Sequence, residues 1–391
     1  MSGNFSKELN ALAETLGVKN RVTFYDGDLF NVINAIAPYG KVAALHTKAF
    51  FTEFGKDFTE KLKAAGVKSL NFIMPEGVSL NLENVFEVIG VPEDVRAVVV
   101  TSRELLNLAA YLATVFNIPL VYSLTSFNSE DTLNPKAPFF WGNGTDFFPI
   151  TCDYHIVIDV DGEKGDIAEQ YINVVSKITA LSDYRVKLEL VGGKPENVAF
   201  GVIKDAVLSA FSPNGRDGNT LLLSGLKTEL ANLASNGAIL YNSAEYCFKR
   251  LVGLNSSKGL RFAFFKKLLE FYKFCAENGE EPFNVPDYNK RAQEFIAVTH
   301  FDDGAFLNGL IKQAEYFNKG KKFLTVKSSF KSELSSQAAT LAAIEQRYLA
   351  LGGEVLEDFS PYYTAFKLCG DLPDTMNFMT LARESGFTEV I

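Results

Sequence analysis

The sequence predicts an α/β domain with a Rossmann-like parallel sheet, followed by an all-α domain. Short apolar runs alternate with amphipathic helical periods over roughly the first 160 residues. These runs are apolar throughout, which is typical of parallel strands that helices cover on both faces. From about Asp166 the strand signals almost vanish and long helical periods dominate. The turn-forming segment 160–164 (VDGEK) separates the two patterns. We therefore expect a nucleotide-binding-like domain over residues 1–162 and a helical domain over residues 163–391.

The individual elements follow from the hydrophobic periodicity, taken in chain order. Six apolar runs predict strands: Arg21–Tyr25, Lys41–His46, Ser69–Met74, Ala97–Thr101, Pro119–Tyr122 and His155–Asp159. Apolar residues at every third or fourth position predict the helices of the first half: Asp28–Ala37, Lys48–Ala65, Leu80–Ile89 and Arg103–Phe116. The same period predicts the helices of the second half: Ile167–Ser182, Thr220–Ser235, Phe262–Glu277, Lys290–Thr299, Ala305–Asn318 and Leu334–Leu351.

Composition and charge argue against several classes of protein. The 391 residues are enough for two domains, and 47% hydrophobic with 22% charged residues is typical of a globular chain. A net charge of −9 argues against a surface for nucleic acid or anionic membrane. The first residues have no apolar core of signal-peptide type, so we expect a cytoplasmic protein. Four widely spaced cysteines, none in a C-x-x-C pair, form a poor framework for disulfides or zinc.

Three separated segments carry a resemblance to a known family. Ile118–Pro135 (IPLVYSLTSFNSEDTLNP) follows the pattern V-P-T-x-x-S-x-D-x-x-x-S-P, with Thr125 at the Thr position and Glu130 at an acidic position. Ala168–Arg185 (AEQYINVVSKITALSDYR) follows A-x-G-x-G-D-x-x-x-K-x-x-A-x-x-D-W, and Asn255–Phe262 (NSSKGLRF) is a shortened form of S-S-R-P-x-S-G-x-E-H. With the order of elements, these segments resemble the superfamily of iron-containing alcohol dehydrogenases and dehydroquinate synthases. The pattern is closest to the branch of glycerol-1-phosphate dehydrogenase and glycerol dehydrogenase.

The resemblance implies where a site would lie and what would bind there. Ligands of such α/β sheets bind beyond the carboxyl ends of the strands. The resemblance implies a small-molecule ligand, phosphorylated or not, in a cleft between the domains, and a homodimer or an active homologue as partner. It places an acidic residue that meets the substrate at Glu130. It also makes Asn173, Lys177 and Asp183 candidate catalytic residues, because they fall at the family's spacing.

The position that corresponds to the family's dinucleotide loop lacks its glycines. The family has a run of three glycines after the fourth strand, because glycine lets the backbone approach the pyrophosphate at a helix start. This chain has Thr101, Ser102 and Arg103 there, followed by Asn107. These residues, with Thr125, are the candidates for cofactor binding, and Arg103 suits a phosphate bidentately. An ordinary Ser N-cap with a surface arginine is the other interpretation. NAD(P) therefore stays a candidate cofactor, but these side chains would contact it where the family has glycines.

The positions that correspond to the family's metal ligands are also changed. The resemblance implies one divalent ion held by an Asp and two His, acting as a Lewis acid on the alcohol or carbonyl oxygen. Asn173 stands at the Asp position and Phe262 at the first His position. A phenyl ring cannot coordinate, and an amide oxygen is a weak ligand. His300 is the one candidate for the second His. We therefore expect no metal site, and we interpret His46 and His155 as structural histidines.

Two functions from different classes stay open. The leading hypothesis is a diverged member of the superfamily without its metal- and NAD-dependent activity, which acts as a binding or partner protein. The alternative is an enzyme with altered site residues. It would be an NAD(P)-dependent oxidoreductase of a polyol or polyol phosphate, or a lyase or cyclase acting on a phosphorylated sugar. The third interpretation is an α/β-plus-helical protein of another family. Residues 358–391 predict short helices and turns without an assigned role.

Overall fold

The computed structural model of the chain describes most of the sequence. It covers residues 5–28, 31–125, 128–141, 144–159, 165–191, 197–213, 215, 217–239, 241–242, 244–246, 248, 257–277, 287–299, 321–356, 358–368, 379 and 383. Two predicted features, the helix Ala305–Asn318 and the candidate ligand His300, lie outside these residues.

The predicted parallel sheet is confirmed. Its strands are β1 (Val22–Asp26), β2 (Lys41–Thr47), β3 (Lys68–Met74), β4 (Ala97–Val100), β5 (Leu120–Leu124) and β8 (Tyr154–Ile158). They lie in the order β1-β8-β5-β4-β2-β3, and every neighbouring pair is parallel. The strands at the centre are buried at every position, which explains why the sequence shows continuous apolar runs instead of alternation. Two more strands, β6 (Lys136–Trp141) and β7 (Gly144–Pro149), form a separate two-stranded sheet.

Helices accompany the sheet and also make up most of the second half of the chain. The first group is α1 (Phe5–Thr15), α2 (Val32–Ile36), α3 (Lys48–Ala64), α4 (Leu82–Val88) and α5 (Leu106–Phe116). The second group is α6 (Ile167–Val175), α7 (Lys177–Val191), α8 (Val198–Phe211), α9 (Gly218–Ala234), α10 (Lys258–Glu277), α11 (Tyr288–Thr299), α12 (Lys321–Ala350) and α13 (Ser360–Leu368). Among the described helices, none combines the length and apolar character that crossing a bilayer requires.

Several helix starts are fixed by side chains that accept backbone hydrogen bonds. Thr47 caps α3 by accepting from the Phe50 N–H at 3.3 Å, and Asp217 caps α9 by accepting from the Thr220 N–H at 2.9 Å. At the other end of α5, Asn117 adopts the left-handed conformation with φ of 51°. Asn tolerates that conformation better than most residues, so the chain turns directly into β5.

The chain forms two compact units, each built from more than one stretch. Unit 1 consists of Met1–Trp141, Asp146–Gln170 and Leu208–Gly237. Unit 2 consists of Gly142–Thr145, Tyr171–Val207 and Ala238–Ile391. The predicted boundary near residue 162 follows the change in secondary structure and not the packing, so it stays a prediction. Unit 1 contains the sheet, and its main core packs sheet residues against α1, α4, α5 and α9.

Some predicted elements have different bounds in the structure. The helix predicted over Asp28–Ala37 forms only over Val32–Ile36, followed by a short 3-10 turn. The predicted helix Ile167–Ser182 is interrupted at Ser176, which divides α6 from α7. α1, α8 and the strands β6 and β7 were not predicted at all. α1 nevertheless buries Phe5, Leu9 and Ala13 at a spacing of four residues, so its signal was present in the sequence.

Candidate functional site

The turn after β4 is built without glycine. Thr101 is buried at the end of the strand, and Ser102 is extended with φ of −127° and ψ of 135°. Arg103–Leu105 then form one 3-10 turn before α5 begins. The Leu105 side chain is fully buried and anchors this turn in the core of unit 1. Each residue of the turn therefore carries a Cβ atom where the resembled family has a bare backbone.

The guanidinium of Arg103 is already bound to two carboxylates of unit 1. Its Nη2 atom makes a short ion pair with Glu130, its Nε donates to the Glu130 carbonyl oxygen at 3.3 Å, and its Nη1 lies 3.4 Å from the Glu169 carboxylate. The Glu130 side chain is 7% exposed and that of Arg103 is 31% exposed. We call these three side chains the Arg103 cluster. Its two carboxylates outnumber its one cation, so its formal charge is −1.

Glu130 is held in place by the loop on which it lies. The Glu130 N–H donates to Asn128 Oδ1 at 3.0 Å, and the neighbouring Ser129 N–H donates to Gln170 Oε1 at 2.9 Å. Gln170 Nε2 in turn donates to Ser129 Oγ and to the Leu221 carbonyl oxygen, each at 3.0 Å. Gln170 is fully buried and thus ties the Glu130 loop to α9. Such a network orients the Glu130 carboxylate toward Arg103.

Gly225 provides the space for this contact. A Cβ atom at Gly225 would lie 2.0 Å from Gln170 Nε2 and 2.1 Å from Ser129 Oγ. Both distances are too short for any real contact, so only glycine lets α9 approach the loop this closely. Gly225 lies within α9 at an ordinary helical conformation, and its role is therefore one of space and not of backbone freedom.

Thr101 contacts a buried histidine. Its Oγ1 atom lies 3.1 Å from His46 Nδ1. The His46 ring is fully buried, stacks on Phe50 with 5.2 Å between ring centroids and meets Phe58 edge-on. Burial lowers the pKa of His46 to about 4, so the imidazole is neutral at physiological pH. These contacts agree with the interpretation of His46 as a structural histidine.

Two further candidate residues, Asn107 and Thr125, and the histidine His155 also lie in unit 1. Asn107 in the first turn of α5 and Thr125 after β5 are both partly buried. His155 lies between two tyrosines, with Nδ1 at 3.2 Å from the Tyr25 hydroxyl and Nε2 at 3.0 Å from the Tyr39 hydroxyl. Both ring nitrogens of His155 are thus engaged within the chain, which agrees with a structural role.

The other three predicted catalytic residues belong to unit 2. Asn173 lies on α6, and Lys177 and Asp183 lie on α7. All three are buried, with exposures of 5%, 4% and 7%. The Lys177 ammonium lies 5.4 Å from the centre of the Tyr241 ring, and Asp183 Oδ1 accepts a hydrogen bond from the Tyr272 hydroxyl at 3.2 Å. The structure thus brings Arg103 to Glu130 within unit 1. The three buried residues Asn173, Lys177 and Asp183 belong to unit 2.

Comparison with solved structures identifies the fold. No family model and no curated protein matches the sequence. The NADH-dependent butanol dehydrogenase A of Thermotoga maritima matches with a TM-score of 0.55 at 13% identity, over 94% of this chain and 96% of that one. An archaeal alcohol dehydrogenase from a Red Sea brine pool matches with 0.54 at 14% identity, over 94% and 96%. A probable glycerol dehydrogenase of Sinorhizobium meliloti matches with 0.54 at 11% identity, over 95% and 98%.

The chain has the fold of the iron-containing alcohol dehydrogenases, as a match to that of Thermococcus thioreducens shows. At 10–14% identity the likeness shows the fold alone. It confirms the predicted resemblance at the level of the fold.

The residues at the dinucleotide position do not fit a pyrophosphate. In the iron-containing alcohol dehydrogenase fold, the resemblance places the pyrophosphate at the turn that Thr101, Ser102 and Arg103 form here. The Cβ atoms of that turn lie where the backbone would have to approach the pyrophosphate, and the Arg103 cluster brings two carboxylates to the turn. A further carboxylate, that of Glu104, accepts a hydrogen bond from the Gly77 N–H at 2.6 Å beside the same turn. Two carboxylates already bind Arg103, so the binding of a phosphate by Arg103 stays a prediction.

The described residues at the metal position do not fit a divalent ion either. Phe262 is fully buried and stacks on Tyr348, with 4.4 Å between ring centroids and 12° between ring planes. Its neighbour Arg261 is 1% exposed and pairs with Glu245 at 2.9 Å. Within the part of the chain that the structure describes, no three or more His, Cys, Asp or Glu side chains are grouped to hold a metal. His300 lies outside that part.

Three residues that shape the site were not predicted from the sequence: Glu169, Gln170 and Gly225. A signal existed for Gln170, because it stands at the first glycine of the family pattern A-x-G-x-G-D. A buried glutamine at that position needs new partners, and Ser129 and Leu221 supply them. Periodicity carries no comparable signal for Glu169, since an acidic residue near a helix start is usually a dipole-stabilised surface residue.

Removing the Arg103 cation should destabilise the protein strongly. The variant Arg103→Met leaves the buried Glu130 carboxylate without its cation, and we expect a loss of roughly 3 kcal/mol, near the lower limit for buried pairs because Arg103 is partly exposed. Urea unfolding followed by circular dichroism measures the loss. The matched variant Glu169→Gln removes the longer, more exposed contact and should cost less than about 1 kcal/mol. Equal losses in the two variants would contradict the assigned role of Glu130.

Adding one methyl group at Gly225 should displace Gln170. We expect Gly225→Ala to lower the free energy of unfolding by about 1–3 kcal/mol, because the Cβ atom overlaps Gln170 and Ser129. The control is Gly201→Ala on α8, where an added Cβ atom meets nothing within 4 Å. There the better helix propensity of Ala should raise stability by up to about 1 kcal/mol. If both variants shifted the unfolding midpoint in the same direction, the close packing at Gly225 would be disproved.

The buried His46 should make stability fall in mild acid. Its folded-state pKa of about 4 lies below the value of 6.5 for an exposed histidine. Above pH 6.5 the His46 imidazole is neutral in both the folded and the unfolded chain, so the free energy of unfolding does not change. Between pH 6.5 and 4 the unfolded chain takes up a proton that the folded chain excludes, so about 3 kcal/mol is lost over that interval. Chemical unfolding at several pH values should show this slope in the wild type and a clearly smaller slope in His46→Gln.

Proposed function

We propose that this chain is a diverged protein of the superfamily of glycerol-1-phosphate dehydrogenase and dehydroquinate synthase. It lacks the metal- and nicotinamide-dependent activity and acts as a binding or partner protein. One observation carries the proposal: the Arg103 cluster occupies, with carboxylates, the position at which a dinucleotide needs bare backbone and positive charge.

An energy comparison supports the loss of dinucleotide binding. For Arg103 to bind a phosphate, its guanidinium would have to leave Glu130, which is 5% exposed. Breaking a buried ion pair by removing one partner costs about 3–5 kcal/mol. Each hydrogen bond to a charged group returns about 1.5–3 kcal/mol, so a bidentate contact with a phosphate would only about offset that cost. The repulsion between the Glu169 carboxylate and the pyrophosphate then makes the exchange unfavourable.

The metal position supports the same proposal independently. Phe262 and Arg261 lie on α10 in unit 2, whereas the Arg103 cluster lies in unit 1. A single substitution at one position could be compensated by neighbouring residues. Loss of both the anion position and a metal-ligand position removes two separate requirements of the redox reaction, because the cofactor accepts the hydride and the ion stabilises the alkoxide.

A second candidate function is favoured by the buried polar residues of unit 2. An ammonium at 4% exposure (Lys177) and a carboxylate at 7% exposure (Asp183) are unusual in a helical core, and such groups are typical of acid–base chemistry. They would suit a lyase or cyclase that acts on a phosphorylated sugar without nicotinamide. The same burial is also typical of structural pairs, as the bond between Asp183 and Tyr272 shows.

Ligand binding and turnover, measured on the same samples, separate these functions. Calorimetric titration with NADH and NADPH, with and without Zn²⁺ or Fe²⁺, should give no binding at millimolar concentrations. Thermal-shift screening of polyols and sugar phosphates should find the ligand, since saturation at 100 times Kd adds about 2.7 kcal/mol of stability. Binding without turnover supports the binding-protein proposal.

Turnover of a bound sugar phosphate would contradict that proposal and favour the second candidate. In that case Lys177→Met should abolish the reaction, whereas Lys187→Met, an exposed lysine on the same helix, should not. NADH binding below millimolar concentrations together with alcohol-dependent reduction would overturn the proposed loss of redox activity.

A further inference from the structure

A groove in unit 2 is lined by none of the candidate site residues. One face of α10 forms one of its walls, and the stretch that leads into α13 forms the other, together with the first turn of α13. Its volume is about 550 Å³, within the range of roughly 300–1,000 Å³ that is usual for small-molecule sites. We call this cavity the α10 groove.

The wall beside α13 is mostly apolar. Val355, Leu356, Phe359 and Tyr363 all line the groove, and Val355 is 39% exposed. The Phe359 ring meets the ring of Phe264 on α10 edge-on, with 5.5 Å between ring centroids. A single exposed valine is ordinary, but four large apolar or aromatic side chains along one groove form a surface that an apolar ligand body can cover.

Hydrogen bonds to neighbouring helices hold the start of this wall in place. The Tyr348 hydroxyl on α12 donates to the Glu354 carbonyl oxygen at 3.1 Å. The Lys258 ammonium at the start of α10 donates to the Gly352 carbonyl oxygen at 3.4 Å. Because the wall is attached to two helices, a ligand does not have to order it on binding.

The opposite wall carries two cations on one face of α10. Lys266 and Lys267 follow Ala263 by three and four residues, so all three lie on the same side of the helix. Lys267 pairs with Glu270 at 3.0 Å, and Lys266 pairs with Glu345 at 2.7 Å. Neither glutamate lines the groove.

These lysines differ from Arg103 in how tightly their partners hold them. Both side chains of the pair between Lys267 and Glu270 are 42% exposed, and exposed pairs contribute little to stability. An ammonium also has three N–H donors, so Lys267 can bind a ligand while it keeps its contact with Glu270.

Asp358 is the one carboxylate among the described residues that line the groove. It accepts a hydrogen bond from the Ser360 N–H at 2.8 Å at the start of α13, where the helix dipole favours a negative charge. Two lysines against one aspartate leave the lining with one net positive charge. The lining therefore complements an anion, although the whole chain has a net charge of −9.

We propose that the α10 groove binds a small amphipathic carboxylate, whose headgroup pairs with Lys267 and whose apolar body covers Val355 and Phe359. Burial of the apolar body drives the association, and the charged hydrogen bond selects a carboxylate over a neutral headgroup. This inference does not rest on the proposed function, because it needs no dinucleotide, no metal and no residue of the Arg103 cluster.

Three ligands with the same ten-carbon chain and different headgroups test the charge preference. Decanoate, decan-1-ol and decyltrimethylammonium are titrated into the full chain at neutral pH by calorimetry, below the concentrations at which they form micelles. Decanoate should bind about tenfold more tightly than decan-1-ol, since hydrogen bonds to charged groups are the stronger ones. Decyltrimethylammonium should bind most weakly of the three.

Two pairs of variants place the binding in the α10 groove. Lys267→Met should weaken decanoate about tenfold and leave decan-1-ol unchanged, whereas Lys273→Met, at an exposed lysine of α10 outside the groove, should change neither. Val355→Glu brings a carboxylate into the groove and should abolish decanoate binding. Its control is Leu349→Glu, at a leucine that is 49% exposed on α12 outside the groove. Circular dichroism of each variant checks that the fold is intact.

Three outcomes would overturn the inference. If none of the three ligands bound, the groove would not be a site for an amphipathic molecule. If decanoate bound no more tightly than decan-1-ol, the lysines would not select an anion. Equal losses in Lys267→Met and Lys273→Met would place the binding elsewhere on the chain. Each of these outcomes is independent of NADH binding and of turnover, so failure of this inference and failure of the proposed function can be told apart.

Discussion

The ion pair between Arg103 and Glu130 is the interaction on which the chemistry of this site depends. It turns a position that an anion could occupy into one that the protein's own carboxylates occupy. Glu130 is buried, so the pair cannot open without a large electrostatic cost. The hydrogen bonds from Gln170 to Ser129 and Leu221, and the missing side chain at Gly225, fix the loop that presents Glu130. The Arg103 cluster is therefore part of the packing of unit 1.

The two changed positions share a physical character. Where the resembled family needs an open cradle, this chain has the turn of Thr101, Ser102 and Arg103 with a bound guanidinium. Where that family needs a metal ligand, this chain has Phe262 stacked on Tyr348. Each replacement packs against or pairs with side chains around it, which is typical of residues that support a fold. Both replacements are therefore compatible with retention of the fold and with the proposed loss of the redox activity.

The fold was readable from the sequence because its strongest signal is local. Continuous apolar runs such as Ala97–Val100, separated by helical periods, are typical of covered parallel strands, and each of the six runs forms a strand. The strands β6 and β7 were not predicted, because KAPFFW and GTDFFP contain proline and do not alternate cleanly. The break at Ser176 was not predicted either, because one interrupted turn barely changes the period of the apolar residues along a helix.

The site was only partly readable, because its partners lie far apart in the chain. Arg103, Glu130 and Thr101 were all selected as site residues, but the sequence left open whether Arg103 binds a phosphate or is an ordinary surface arginine. Its partner Glu130 is 27 residues away and Glu169 is 66 residues away, distances over which periodicity gives no pairing information. The glutamine at position 170 was a usable signal, because it replaces a glycine of the family pattern and is too large and polar to be buried without partners.

A crystal structure of the protein soaked with millimolar NADH and Zn²⁺ would test the central claim most directly. The account predicts that Arg103 keeps its contacts with Glu130 and Glu169 and that no dinucleotide lies over the turn Thr101–Arg103. A pyrophosphate bound against that turn, with the guanidinium moved from Glu130 to a phosphate oxygen, would contradict it.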